Sequence, residues 1–211
     1  MMSDLDQQGL QSQGVSQDAD AYINYYGLTG DPFNPENALF FTSAQLEKLL
    51  RLFNYLARFS RKLVVVTGSS GVGKTTLLEN FVNQQSEQDL VCFFSALSSD
   101  SPKQVLFEIA EQLEVPHCGE QATVEQLVSA IRDYSLECQG RDHYCMVVID
   151  DAHLFDVTVL KQLYQLAVHD PEHRSAISFL LSGQPELLSH VQGVVPAEAS
   201  EKTLFHQQLA K

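Results

Sequence analysis

Nine consecutive residues, Gly68, Ser69, Ser70, Gly71, Val72, Gly73, Lys74, Thr75 and Thr76, combine the types needed to hold a polyphosphate. Gly68, Gly73, Lys74 and Thr75 match the spacing G-x-x-x-x-G-K-[ST]. Glycines let successive backbone N–H groups turn toward one anion without a Cβ in the way. A helix starting at Lys74 would add its positive N-terminal end to the same point. Lys74 brings a mobile cation for the outer phosphates, and the Thr75 hydroxyl is a ligand type suited to Mg²⁺. This is the Walker A pattern, and it predicts a nucleotide site.

A second group lies further along the chain. Cys145 to Ile149 is a continuous apolar run that ends in Asp150 and Asp151. In an open α/β sheet, ligands gather outside the carboxyl ends of the strands. Asp150 is therefore expected near the phosphate loop, holding Mg²⁺ through water. Asp151 is placed to orient or deprotonate an attacking water. A later apolar run ends at Ser182, which would emerge beside Asp150 and could hydrogen-bond the γ-phosphate or the water. The alternative for that segment is an ordinary strand-to-helix turn with Gln184 as its cap. His153 follows the acids and could contact a nucleotide-sensing network; the plainer reading is a turn histidine satisfied by its surroundings.

The elements that must position these residues follow from periodicity. Leu63 to Val66 reads as a strand buried on both faces, and Leu77, Leu78, Phe81 and Val82 with Thr76 repeat at helical spacing after it. A helix is predicted from Thr42, where Thr42 and Gln45 form a capping box, with Leu46, Leu49, Leu50, Phe53, Leu56 and Ala57 on its apolar face. Leu90 to Ser95 is a second strand. Helices start at Ser101-Pro102 and at Thr123, the latter capped with Gln126. A third strand spans Tyr144 to Ile149, a helix about Asp156 to His169, a fourth strand Ala176 to Leu181, and a short helix opens at Pro185. Strands alternating with helices imply an α/β fold with a parallel sheet covered on both faces.

Composition narrows the class. The 211 residues suit one core domain over 21–211 with a tail over 1–20, too polar to offset its chain entropy and expected to be disordered. No apolar run approaches the roughly 18 residues of a membrane helix, and the acidic start lacks a leader's basic and apolar regions. A cytoplasmic setting is expected. Cys92, Cys118, Cys138 and Cys145 form no C-x-x-C pair and read as reduced thiols. A net charge of −14 disfavours nonspecific binding to nucleic acid or anionic lipid; Arg58, Arg61 and Lys62 are the densest basic group. His169 and His173 have zinc-like spacing, but Pro171 between them breaks the helix such a site requires.

With these motifs in hand, the chain resembles the AAA+ ATPases of the ExeA/GspA group, and within it the N-terminal ATPase region of bacterial DamX-like proteins. The likeness rests on Tyr26-Gly27-Leu28 with Asp31-Pro32-Phe33, the Walker A strand and loop, Asp150-Asp151-Ala152-His153, and Ser182-Gly183-Gln184-Pro185-Glu186-Leu187. It implies a three-layer P-loop NTPase with a five-stranded parallel sheet in the order 5-1-4-3-2 and the fifth strand near Leu204 to Gln207; in a departure from the family, the lid domain is expected to be absent. It also implies ATP or ADP with Mg²⁺ as cofactors and the aromatic lead-in, with Phe33, beside the adenine. A homo-oligomer, and envelope-assembly or division proteins as partners, follow from the same likeness. Family members often carry Asp-Glu where this chain has Asp150-Asp151, a reach one methylene longer. Such oligomeric ATPases also use an arginine from a neighbouring subunit. After Arg174, read as a surface residue, this chain has none, so slow hydrolysis is expected. A nucleotide-binding scaffold with little turnover and a transposition-type DNA-handling ATPase are the alternatives. A GTPase is disfavoured, because no Asn-Lys-x-Asp pattern follows the third strand.

Overall fold

Runs of valine, leucine and isoleucine leave the central strands no wet face. The computed structural model describes residues 44–60, 63–116, 118–119, 121–141, 143–167, 177–197, 200 and 204–209. Within it, β1 (Leu63–Thr67), β3 (Cys145–Asp150) and β4 (Ile177–Gly183) are buried along their whole length. β2 (Leu90–Ser95) and β5 (Leu204–Gln208) are mostly half-buried and form the two edges. Every pairing is parallel, in the order β2-β3-β4-β1-β5. This is the α/β fold expected from the alternation of strands and helices, and the 5-1-4-3-2 order that the family resemblance implied.

Parallel neighbours cannot be joined by tight hairpins, so helices must cross over the sheet. Alternate strand residues face opposite layers. On one side lie α1 (Ala44–Tyr55), continued by a π-helical turn over Leu56–Ser60, and α2 (Lys74–Asn83). Phe53 of α1 and Phe81 of α2 meet edge to face with ring centroids 6.0 Å apart, beside Val64, Met146 and Leu180. On the other side are α3 (Pro102–Gln112), α4 (Val124–Gly140), α5 (Val157–Ala167) and α6 (Glu186–Val194). Their Ile109, Ile131, Leu163 and Leu187 join Val65, Val147, Ile149 and Leu181 in one apolar cluster.

Local signals account for where these helices begin. Ser101 caps α3 and Thr123 caps α4, each in a full capping box with Gln104 and Gln126; one such cap contributes on the order of 1 kcal/mol. Thr76 differs from expectation. It is exposed, and the buried side of α2 is Lys74, Leu77, Leu78 and Phe81, because the 100° step per residue carries Thr76 round to solvent. Arg58 is committed locally: it pairs with Asp89 at 2.8 Å and lies over the Tyr144 ring at 5.0 Å. Cys92, Cys138 and Cys145 are buried free thiols and Cys118 is half-buried. Burial, reinforced by the Glu108 charge, pushes the Cys92 thiol up to about 12, so it stays protonated. The tail over 1–20, the aromatic lead-in with Phe33, the Thr42 cap, Arg61, Lys62, and the loop with His169, His173 and Arg174 lie outside the described residues.

Phe81 ties α2 both to Phe53 of α1 and to the strand residues beneath it. Phe81→Ala is expected to cost about 3–5 kcal/mol, as a truncated buried aromatic does. Urea unfolding checks this: the midpoint should fall with the slope unchanged.

Candidate functional site

Where β1 passes into α2, the backbone takes a path open mainly to glycine. Gly71 and Gly73 have φ of 76° and 88°, in the left-handed region. Gly68 is needed for a different reason. A Cβ there would lie 2.7 Å from Val72 Cγ1 and 3.1 Å from the Leu209 carbonyl oxygen. Gly73 stands at the N-cap of α2 and offers no side-chain cap, so the first N–H groups of the helix remain available to an anion. Ser69, Ser70 and Gly71 are exposed and Val72 is half-buried. Lys74 is buried, and its Nζ donates to the carbonyl oxygens of Gly68 at 3.0 Å and Ser69 at 3.1 Å. The ammonium therefore lies against the loop backbone, and among the described residues it pairs with no carboxylate.

Asp150 closes the site from β3. It is 2 % exposed, and its Oδ2 accepts a 2.5 Å hydrogen bond from Thr75 Oγ1. Its Oδ1 accepts from the Asp151 N–H at 2.9 Å. No cation pairs with this carboxylate among the described residues. A buried, charged, hard-oxygen donor beside a threonine hydroxyl fits a divalent metal. Thr75 and Asp150 are the residues that could hold Mg²⁺, which when bound would neutralise charge on a polyphosphate. Ile149 pairs with Leu181, so the next residue on each strand, Asp150 and Ser182, reaches the same edge. Ser182 is fully buried and its hydroxyl has no hydrogen-bond partner among the described residues. Such an unsatisfied hydroxyl costs roughly 1–3 kcal/mol unless something bonds it. Asp151 sits in a left-handed conformation at φ 50° with its side chain half exposed.

The chain is also similar to known proteins. A family model described as "AAA domain" matches residues 57–191, well over half of the chain. The chain belongs to the AAA domain family. A curated relative, General secretion pathway protein A of Aeromonas hydrophila, is 26% identical over 168 residues, which is 79% of this chain but 30% of that protein. The chain thus spans less than a third of this relative's length. Among solved structures, Cdc6p of Pyrobaculum aerophilum superposes with a TM-score of 0.61 at 16% identity, covering 79% of this chain and 44% of that one. The ORC2 protein of Aeropyrum pernix gives 0.59 at 20% identity, covering 82% and 49%. At these identities the structures show a common fold.

The AAA domain also contains polar contacts that motif spacing does not announce. Gln184 does not cap α6. Pro185 holds the N-cap position with no side-chain cap bond, and Gln184 Nε2 meets His153 Nε2 at 3.1 Å. Gly183 makes this approach possible, since a Cβ there would lie 3.1 Å from the His153 backbone nitrogen. His153 is not fully satisfied either, because its Nδ1 is buried without a hydrogen bond. At the end of β1, Thr67 Oγ1 pairs with His206 Nε2 of β5 at 2.8 Å, a partnership across 139 positions that no local pattern marks.

Burial lowers the His206 pKa below its ordinary value. The folded state then takes up a proton less readily than the unfolded chain. The stability His206 contributes is full above the unfolded value, about 6.5, and is lost as pH falls through the lowered folded value. Denaturation of wild type and His206→Gln at pH 7.5 and 5.5, test conditions chosen to bracket about 6.5, checks this. The wild type should lose more stability on acidification than the variant.

Proposed function

We propose that this AAA domain binds ATP with Mg²⁺ and works as a nucleotide-controlled switch. The observation that carries the reading is the Thr75–Asp150 hydrogen bond, which joins the start of the phosphate-loop helix to the acidic end of β3. Around it, Lys74 would face the outer phosphates, with the loop N–H groups of Ser69, Ser70, Gly71, Val72, Gly73, Thr75 and Thr76 lining the anion. Ser182 would bond the γ-phosphate or the water, and Asp151 would orient that water. ADPNP and ADP complexes of the Aeropyrum pernix ORC2 protein support an adenine nucleotide for a domain of this fold.

The wider role is envelope assembly or division, with the domain on the cytoplasmic side and acting as a homo-oligomer. The General secretion pathway relative supports an envelope setting. A fluorescent fusion of the full gene product tests this: envelope or septal recruitment supports it, and a diffuse signal rejects it. The DNA-handling alternative draws on fold likeness to ORC proteins, while the net charge of −14 opposes it.

Hydrolysis is expected to be slow. Asp151 is half exposed and only loosely placed, 3.8 Å from the nearest His153 nitrogen. That geometry also favours a second reading, a nucleotide-bound scaffold with little turnover. Two variants separate the possibilities. Lys74→Ala should weaken ATP binding by calorimetry about 10- to 100-fold, the loss of one charged hydrogen-bonding group; unchanged affinity would reject the site. Asp151→Asn should leave affinity intact and cut turnover by roughly 100-fold or more. Equal turnover in wild type and Asp151→Asn would favour the scaffold.

A further inference from the structure

His153, Gln184 and Asp151 form a short relay next to the phosphate loop, built from the residues that directly follow β3 and β4. The His153 side chain is 9 % exposed, so its ring nitrogens depend on protein partners. Its Nε2 faces the Gln184 amide nitrogen at 3.1 Å. An amide nitrogen only donates, so Nε2 accepts, and the neutral ring carries its proton on Nδ1. Nδ1 is buried and makes no hydrogen bond among the described residues. Its charged neighbour is Asp151 Oδ1 at 3.8 Å, beyond hydrogen-bond length but within reach of a small side-chain rotation. Asp151 has a left-handed backbone and a half-exposed carboxylate, so it is the member free to rotate. The unmet donor gives that rotation a direction, since a buried N–H without a partner is costly.

We propose that His153 is the positioning residue for Asp151. Gln184 selects the Nδ1–H tautomer, and that N–H then holds the Asp151 carboxylate in one orientation. Gln184 lies two residues beyond Ser182 on the same strand end, and Ser182 has its own unpaired buried hydroxyl. A shift of the β4 end when Ser182 gains a partner is therefore transmitted through Gln184 to the ring. The relay rests on the ATPase reading for its consequence, while its geometry stands without nucleotide.

Two measurements on the full chain test it. In nucleotide-free protein, side-chain ¹⁵N NMR, with His153→Asn used to assign the signal, should show Nδ1 protonated and Nε2 unprotonated; Gln184→Ala should remove that preference. An Nε2–H ring in wild type overturns the relay. In turnover assays, His153→Ala and His153→Gln should lose about tenfold in kcat with ATP affinity within twofold. His153→Asn, whose amide can place an N–H where Nδ1 was, should recover most of the rate. Equal losses in Asn and Gln variants, or none in Ala, overturn the proposal even where ATP binds and is hydrolysed. Wild-type protein that fails to bind ATP would instead reject the functional reading, and the NMR result would still decide the relay.

Discussion

In a parallel sheet covered on both faces, a buried polar side chain must find a partner, and the rest of this domain is arranged around that constraint at the carboxyl ends of the strands. Thr67, Asp150 and Ser182 are all buried, and each lies at the carboxyl end of β1, β3 or β4. Burying a carboxylate or hydroxyl is costly without partners. Asp150 meets the requirement through Thr75 Oγ1 and the Asp151 N–H, while its backbone carbonyl accepts from Ala96 at 2.8 Å. Thr67 meets it through His206. Ser182 does not, and the exception lies where a ligand oxygen would be most useful.

The helix after the phosphate loop has two tasks that cannot be separated. Leu77, Leu78 and Phe81 anchor it to the sheet, and the same turn of helix carries Lys74 and Thr75 to the strand ends. Loop geometry is held from both sides. Gly68 donates to the Gly183 carbonyl at 3.2 Å, and Leu209 donates to the Thr67 carbonyl at 2.7 Å. The ends of β4 and β5 are therefore tied directly to the start of the loop. The switch proposed for this domain would need this kind of coupling, in which a few contacts bias a discrete rearrangement.

Much of the fold was legible because its signals are local. Ser101-Pro102 as a helix start and Thr123 capped with Gln126 are read from a few neighbouring residues, and both helices begin there; Gln104, which completes the box at Ser101, emerges from the structure. The valine run of β1 and the apolar run of β3 have no alternation to mislead, and both are fully buried strands. Thr76 misleads because a threonine beside Leu77 shares the apolar run without sharing its helical face. Gln184 misleads for a related reason. A polar residue before a helix usually caps it, but here the neighbouring strand brings His153 within 3.1 Å, and that partner wins.

The chain's own order of residues determined the phosphate loop, the acidic end of β3 and the alternation that requires a parallel sheet. Each depends on neighbours a few positions apart, which backbone geometry and side-chain type already constrain. Tertiary structure alone decided that Thr75 and Asp150, 75 positions apart, share a hydrogen bond, that Ser182 stays unpaired, and that Gln184 and Asp151 face one imidazole. These depend on the register and proximity of β1, β3 and β4. That register is set by packing two helical layers against one sheet, a condition involving the whole core at once.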